Sequence, residues 1–168
     1  VKLRVMQNPV YLETFQVLGA NAIPLPFPEL FPALETKAVD GQENPFNTIL
    51  SSKFYEVQKY LSVTNHVYAP WIMTVSKKWW DGLSKDERAI IIKAAEAARD
   101  YERKDTRAEA AKAVGDLKAK GMVINEVAPA EMARMRDAAK PVIEKAVANI
   151  GPDLYKETQA EIAKIRSG

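Results

Sequence analysis

The fold is decided by residues 1–27, which read VKLRVMQNPVYLETFQVLGANAIPLPF. Residues 2–6 alternate their side chains between two faces, as a short strand does. The extended residues 22–26 contain two prolines, which favour a strand near the edge of a sheet. Between them, the pair Asn8-Pro9 suits a helix N-cap and first helical position, and Gly19 suits a helix end. The stretch therefore predicts a strand–helix–strand unit of an α/β domain.

The following part of the chain continues the same rhythm. Residues 28–38 predict a second helix, and Asn44-Pro45 repeats the N-cap pair before a third helix whose apolar face continues to Val57. Residues 60–76 are rich in β-branched and aromatic side chains. They predict two strands, or one long strand that bends at Pro70.

The second half of the chain has few aromatic residues and predicts amphipathic helices. Ser84 and Glu87 form a capping box that opens a helical pattern, weakly broken at Gly115 and stopped by Gly121. Such a helix would be roughly 50 Å long, so we expect it to bend, break or cross between two bodies. Three shorter elements follow: a strand at 122–127 and helices at 129–149 and 152–165.

Composition excludes several classes of protein. The chain has 168 residues, 47% of them hydrophobic, which is too apolar for an intrinsically disordered chain. Its 24 basic and 22 acidic residues give a net charge of +2, so charge provides no reason to expect a nucleic-acid partner. It has no cysteine, which excludes disulfides, thiol catalysis and cysteine-ligated metals.

The sequence carries no enzyme signature. It has one histidine, His66, which the pattern places inside a strand, and it has neither a nucleophile elbow nor a dinucleotide glycine motif. Asp40 and Glu43 flank a turn and do not form a defined acid–base pair. A small enzyme built on these three residues is the weakest of the functional alternatives. We expect no catalytic residue, no metal and no cofactor.

The residues that could carry chemistry suit an anion. Arg4 lies near the end of an apolar strand, and Asn8 and Asn44 each mark the start of a predicted helix. Helix N-termini attract anions, and an arginine can hold a carboxylate with two parallel hydrogen bonds. In the alternative interpretation, Arg4 pairs with an acidic neighbour and each asparagine only caps its own helix.

Several segments together resemble the TRAP-type (tripartite ATP-independent periplasmic) transporter solute-binding proteins, the DctP family. The most specific of them are 39–45, VDGQENP, and 53–58, KFYEVQ. The resemblance covers essentially the whole chain, strongly to about Ser84 and through the helix pattern beyond it. The other segments that carry it are 2–5, 19–27, 29–36, 59–61 and 64–66.

The resemblance implies a periplasmic-binding-protein-like α/β fold with a long crossing helix and C-terminal helices, as part of an incomplete two-lobed structure. Residues 1–69 and 110–168 would form the second lobe. Residues 70–109 would cross over to complete a first lobe, the rest of which would be missing from the chain.

The resemblance also implies the residues of a ligand site. Arg4 would grip the ligand carboxylate, Asn44 would lie in the pocket, and Phe27 would line it. Asn8 would approach the ligand from the loop after the arginine strand. Tyr68 or Trp71 would line the opposite wall.

The implied function is that of an extracytoplasmic, periplasmic receptor. It would bind a small organic acid, such as a C4-dicarboxylate, a sugar acid or a hydroxy or keto acid, and deliver it to the membrane permease of a TRAP transporter. Its other expected partner is the missing N-terminal lobe or a domain-swapped copy of itself. The alternative is a non-enzymatic helical interaction module, or a fragment, that associates with another chain.

Overall fold

A computed structural model describes residues 1–167 of the chain. Within this range the chain is a mixture of α and β structure, as the sequence predicts. The strands are β1 (Lys2–Val5), β2 (Asn21–Pro24), β3 (Gly41–Gln42), β4 (Tyr60–Val63) and β5 (Val123–Glu126). The α-helices are α1 (Pro9–Val17), α2 (Leu30–Glu35), α3 (Phe46–Ser51), α4 (Lys77–Asp81), α5 (Lys85–Ala119), α6 (Pro129–Ile150) and α7 (Pro152–Ser167).

The chain divides into two compact units. The first contains Val1–Asn44, Glu56–Gln58 and the residues from Glu126 onward, and the second contains Pro45–Tyr55 and Lys59–Asn125. The division into a lobe of residues 1–69 and 110–168 and a crossing segment of residues 70–109 stays a prediction.

A parallel three-stranded sheet in the order β2-β1-β3 forms the centre of the first unit. The register places Arg4 opposite Ile23 on one side and opposite Gln42 on the other. Strand β2 lies at the edge of the described sheet, as its prolines predict, because Pro24 has no N–H to donate to a further strand.

Helix α1 begins and ends where the sequence predicts. Asn8 is the N-cap, and its side chain accepts a hydrogen bond of 2.9 Å from the Val10 N–H, with Pro9 in the first turn. Gly19 has a φ of +88°, the left-handed conformation that glycine adopts without steric cost. Helix α6 packs against α1, where Lys145 Nζ forms an ion pair of 2.5 Å with Glu13 Oε1.

Two predicted helices of the first sixty residues are shorter than expected. The segment 28–38 contains a 3₁₀ turn at Phe27–Glu29 and then the short helix α2, because its prolines remove N–H donors that a longer helix would need. Helix α3 stops at Ser51, and the left-handed Lys53 (φ +55°) separates it from a 3₁₀ turn at Phe54–Glu56. The continuous helix to Val57 is therefore a wrong prediction.

The N-cap role predicted for Asn44 is also wrong. Pro45 is the cap residue of α3, and no side chain caps this helix. The amide of Asn44 instead donates from Nδ2 to Gln42 Oε1 over 2.6 Å. Capping would need Asn44 Oδ1 to accept from a backbone N–H at the start of α3, and this helix has no such bond because Pro45 occupies the cap position.

The second unit has a two-stranded sheet of β4 and β5. The Val123 N–H donates to the Lys59 carbonyl over 2.8 Å, and Ser62 Oγ donates to Asn125 Oδ1 over 3.2 Å. Residues 64–76 form no strand, so the second predicted strand and the placement of His66 within it are wrong. β-Branched and aromatic composition favours a strand, but a strand also needs a neighbour for its backbone hydrogen bonds.

Helix α5 is the long helix that the sequence predicts. Its 35 residues span about 52 Å, and Ser84 and Glu87 form the predicted capping box. Gly115 is accommodated inside the helix. Within the second unit α3 packs against α5, whose Leu117 is fully buried. None of the helices between residues 1 and 167 combines the length and apolar character needed to cross a membrane.

Candidate functional site

The topology of the first unit marks one end of its sheet as a candidate site. The chain leaves β1 through α1 to reach β2 on one side, and later returns to place β3 on the other side. The strand order therefore changes direction between β1 and β3. In open parallel sheets, ligands bind beyond the carboxyl ends of the strands at such a switch point.

Arg4 lies at this end of the sheet and is buried. Its exposed fraction is 3%, and it is the one buried polar or charged residue in the described part of the chain. Its Nε–H donates to the Leu25 carbonyl over 2.9 Å, just beyond the end of β2. This bond fixes the plane of the guanidinium group and does not use the two terminal nitrogens, which can offer two parallel N–H groups to a carboxylate.

Phe27 is close to this arginine. The centroid of its ring lies 5.9 Å from Arg4 Cζ, a distance typical of a cation–π contact. The ring is nevertheless 45% exposed, so part of its apolar surface is not covered by the chain. A ligand that bound at the guanidinium could cover the rest of the ring.

Burial of Arg4 favours a negatively charged partner, and Glu43 supplies part of that charge. Burial lowers the pKa of Arg4, and the carboxylate of Glu43 partly opposes this shift. Burial is also the main cause that raises the pKa of Tyr11, with Glu43 as the second cause. Because a buried cation loses much of its hydration, a carboxylate that binds to Arg4 compensates for that loss.

Asn44 lies just beyond the carboxyl end of β3. Its bond of 2.6 Å to Gln42 ties it to the residue that the register places opposite Arg4. Gln42 is the part of this site that sequence reasoning missed. The available signal was the alternation along the strand, which puts residues 42 and 44 on one face.

Asn8 lies on the loop after β1 and caps α1. Its Oδ1 accepts from the Val10 N–H, so the carbonyl group of this side chain serves the helix. The structure thus brings Arg4 and Phe27 into contact, and sheet register puts Gln42, with Asn44 attached, beside Arg4. No hydrogen bond links Asn8 to these four residues among those described, and its part in a site stays a prediction.

Tyr68 and Trp71 lie in the second unit. Their side chains are 89% and 96% exposed and belong to the segment 64–76, which has no regular secondary structure. Their assignment to the wall of a pocket stays a prediction.

The residues considered for catalysis have other contacts. Asp40 accepts a hydrogen bond of 2.7 Å from the Lys2 N–H, and His66 Nδ1 lies 2.7 Å from Thr64 Oγ1. Over residues 1–167, no group of three or more His, Cys, Asp or Glu side chains could hold a metal ion.

Comparison with known proteins consistently identifies solute-binding proteins. The sequence model of "Bacterial extracellular solute-binding protein, family 7" (DctP) matches residues 1–149. The 2,3-diketo-L-gulonate-binding periplasmic protein YiaO of Escherichia coli K12 is 38% identical over 124 residues, which are 74% of this chain and 38% of that protein.

Two solved structures extend the similarity. The sugar acid binding protein DctPAm of Advenella mimigardefordensis, in complex with galactonate, is 50% identical with a TM-score of 0.84, and the match covers 91% of this chain and 49% of that chain. A TRAP periplasmic solute binding protein of Ralstonia eutropha with bound (S)-2-acetolactate is 36% identical with a TM-score of 0.91, covering 98% of this chain and 54% of the other. The chain therefore spans about half the length of these two proteins.

Proposed function

Because the chain belongs to the bacterial extracellular solute-binding protein family 7, we propose that it supplies the carboxylate-gripping part of a receptor for a small organic acid. The family expected from the sequence is confirmed, and its members are solute-binding transport proteins rather than enzymes. The receptor acts in the periplasm and delivers its ligand to the membrane permease of a TRAP transporter.

The single observation that carries this proposal is the buried Arg4. Its Nε–H is held by the Leu25 carbonyl, so the guanidinium group is oriented before a ligand arrives. A hydrogen-bonded charged pair contributes about 1.5–3 kcal/mol net. That range corresponds to about ten- to 150-fold in affinity.

The proposed ligand is a sugar acid or a related hydroxy or keto acid. DctPAm is described with galactonate, YiaO as a binder of 2,3-diketo-L-gulonate, and the Ralstonia protein with acetolactate. All three ligands carry an oxygen on the carbon next to the carboxylate. A 50% identity with the galactonate-bound protein supports this class over the C4-dicarboxylates, which a relative at 34% identity is named for.

Each proposed site residue has its own role. Arg4 holds the carboxylate, Asn44 bonds a neighbouring ligand oxygen, and Phe27 covers the carbon chain. Asn8 approaches from the loop after β1. Tyr68 and Trp71 line the opposite wall, which closes when two lobes move together about a hinge.

Calorimetric titration of the natural full-length protein with galactonate and with succinate tests the proposal. We expect Arg4→Ala to weaken galactonate binding at least tenfold. The matched control is Arg88→Ala, because Arg88 also donates to backbone carbonyl oxygens and lies 5.7 Å from an aromatic ring, that of Trp80. Unchanged affinity in Arg4→Ala would overturn the role of this arginine, and tighter binding of succinate would overturn the ligand class.

The 168-residue chain alone provides a second measurement. We expect it to bind galactonate far more weakly than the full-length protein, because the proposed cleft has a wall from each of two lobes. Equal affinity would show that the site is complete within this chain.

Association with another chain is a second candidate function. The observation in its favour is the segment 67–75, where Trp71, Ile72 and Met73 are 96%, 79% and 69% exposed. Residues 67–76 carry no charge, so two copies of this segment can meet without charge repulsion. We expect light scattering of the 168-residue chain to detect a dimer that Trp71→Asp disrupts. A monomer at high concentration would contradict this candidate.

A further inference from the structure

We propose that Gln42 is a positioning residue, which orients the amide of Asn44 and thereby sets how the receptor distinguishes ligand oxygens next to the carboxylate. The inference rests on the proposed function, since it assigns a role within the same site. Gln42 does not have to touch the ligand for this role.

The first step is the placement of Gln42. It pairs in register with Arg4 across β1 and β3, and residues opposite each other on neighbouring strands direct their side chains to the same face. Asn44 follows two residues later, where an extended chain returns to that face. The hydrogen bond of 2.6 Å between Asn44 Nδ2 and Gln42 Oε1 confirms that these two side chains meet.

The second step is the chemistry of the asparagine amide. An amide has two N–H donors on one side and a carbonyl acceptor on the other, and its terminal torsion has two nearly equivalent settings. In the structure Nδ2 faces Gln42 Oε1, and this setting is favoured while Gln42 keeps Oε1 towards Asn44. Oδ1 is then held on the opposite side, and the second N–H has a fixed direction.

The third step concerns the ligand. A hydroxyl group next to a carboxylate both donates and accepts, whereas a keto oxygen at the same position only accepts. An oriented Asn44 presents its donor and its acceptor at fixed places, so it distinguishes these two oxygens. An amide that turned freely would present whichever group the ligand needed, and the distinction would weaken.

The test uses calorimetry on the natural full-length protein with galactonate and with 2-keto-galactonate. Gln42→Met removes the acceptor at nearly unchanged length. We expect the affinity for the better ligand to fall about three- to tenfold, the size of one neutral hydrogen bond. We also expect the ratio of the two affinities to move towards one, a change that general destabilisation does not produce.

A double-mutant cycle separates a role through Asn44 from an independent one. In the Asn44→Ala background, Gln42→Met should change affinity by less than about twofold, because the group that it orients is gone. The matched control is Gln58→Met. Gln58 is also part-buried near Gly41, but its Nε2 donates to the Val57 carbonyl. An equal loss in both backgrounds, or an unchanged ratio, would overturn the inference.

A ligand-free measurement keeps the inference testable if galactonate is not the ligand. The side-chain amide of Asn44, assigned by its disappearance in Asn44→Ala, should show two strongly separated proton shifts in a nitrogen–proton NMR spectrum. We expect the separation to shrink in Gln42→Met and to persist in Gln58→Met.

The failure of this inference and the failure of the proposed function can be distinguished. If Arg4→Ala leaves binding intact, the proposed function fails. If Arg4→Ala weakens binding but Gln42→Met changes neither the affinity ratio nor the amide shifts, only this inference fails.

Discussion

The carboxyl end of the β2-β1-β3 sheet and the segment 64–76 both carry aromatic side chains but differ in how far the chain buries their residues. At the sheet end, a phenylalanine ring lies against a buried arginine, and Arg4 is 3% exposed. In the segment, Trp71 is 96% exposed and Tyr68 is 89% exposed. Both regions lie in the half of the chain where aromatic residues are concentrated.

The difference follows from backbone hydrogen bonding. Strand β1 has a parallel neighbour on each side, so its peptide groups are paired and its side chains are held over fixed partners. Segment 64–76 has no ladder partner in the described part of the chain, although its composition favours a strand. Aromatic side chains are thus partly buried at the sheet end and almost fully exposed in segment 64–76.

The largest expected effect is on the free energy of unfolding, after a change at a buried residue of the first unit. Leu30, at the start of α2 in the first unit, is fully buried. We expect Leu30→Ala to lower the free energy of unfolding of the chain by about 2–5 kcal/mol, from lost transfer free energy and the cavity left behind. Urea unfolding followed by circular dichroism measures it.

The control for Leu30 is an isoleucine in the uncovered segment. Ile72 is 79% exposed, and we expect Ile72→Ala to change the unfolding free energy by less than about 0.5 kcal/mol. Similar losses of unfolding free energy in the two variants would contradict the difference in burial between the two regions.

Several elements with local causes are predictable from the sequence. An α-helix satisfies its own backbone, so the N-cap at Asn8, the capping box of Ser84 and Glu87, and the 35 residues of α5 could be inferred from neighbouring residues alone. Strands were less predictable, because their partners are distant in sequence. This explains why the strand expected within 64–76 is absent while β1 and β2 are present.

The candidate site shows the same limit. Arg4 stands out in the sequence as a charged residue in an apolar strand, and the family resemblance predicts Phe27 and Asn44 beside it. Gln42 does not stand out in the sequence, because its significance depends on the register of β3 against β1. The Asn-Pro pair predicts that Asn44 caps α3, and the sequence pattern does not show that Pro45 takes the cap position instead.

The second prediction concerns the charge of Arg4, the buried residue at the end of the sheet. We expect Arg4→Lys to weaken carboxylate binding by about tenfold at pH 7, because lysine lacks the two parallel donors of arginine. Burial disfavours the charged form, and it already lowers the pKa of Arg4. The same burial lowers the pKa of a lysine from about 10.4, so the variant loses its proton, and its binding, as pH rises towards 10.

Calorimetric titration from pH 6 to pH 10 tests whether the affinity of Arg4→Lys for the carboxylate falls as pH rises. The natural protein should bind equally well throughout most of this range, because arginine stays protonated even with a lowered pKa. A lysine variant with pH-independent affinity would contradict the burial of this position.

The third prediction concerns the helix start that follows the uncovered segment. Ser84→Ala should lower the free energy of unfolding by about 1 kcal/mol, since the Ser84 side chain accepts from the Glu87 N–H at the first turn of α5. Ser76→Ala is the control. The cap bond of Ser76 in α4, from the Trp79 N–H, is longer at 3.5 Å, and we expect a smaller loss.

The capping box also predicts a pH dependence. Hydrogen bonds from the Ser84 N–H and hydroxyl lower the pKa of Glu87 below its ordinary value of 4.5. Stability from a carboxylate whose pKa is lowered on folding is fully present above the unfolded pKa and is lost as pH falls through the folded one. The difference between the natural chain and Ser84→Ala should therefore shrink below about pH 4. A constant difference down to pH 2 would contradict this contribution of Glu87.

The smallest expected effect belongs to the uncovered region itself. Trp71→Ala removes the largest side chain of segment 64–76, yet at low protein concentration we expect the unfolding free energy to change by less than about 0.5 kcal/mol. The reason is that a ring with 96% exposure gains almost nothing from folding of this chain.

Urea unfolding of Trp71→Ala and the natural chain at two protein concentrations tests this prediction. A loss above 1 kcal/mol at low concentration means that the tryptophan is covered within the chain, and the contrast between the two regions fails. A loss that appears only at high concentration means that a second chain covers it, because only association depends on concentration.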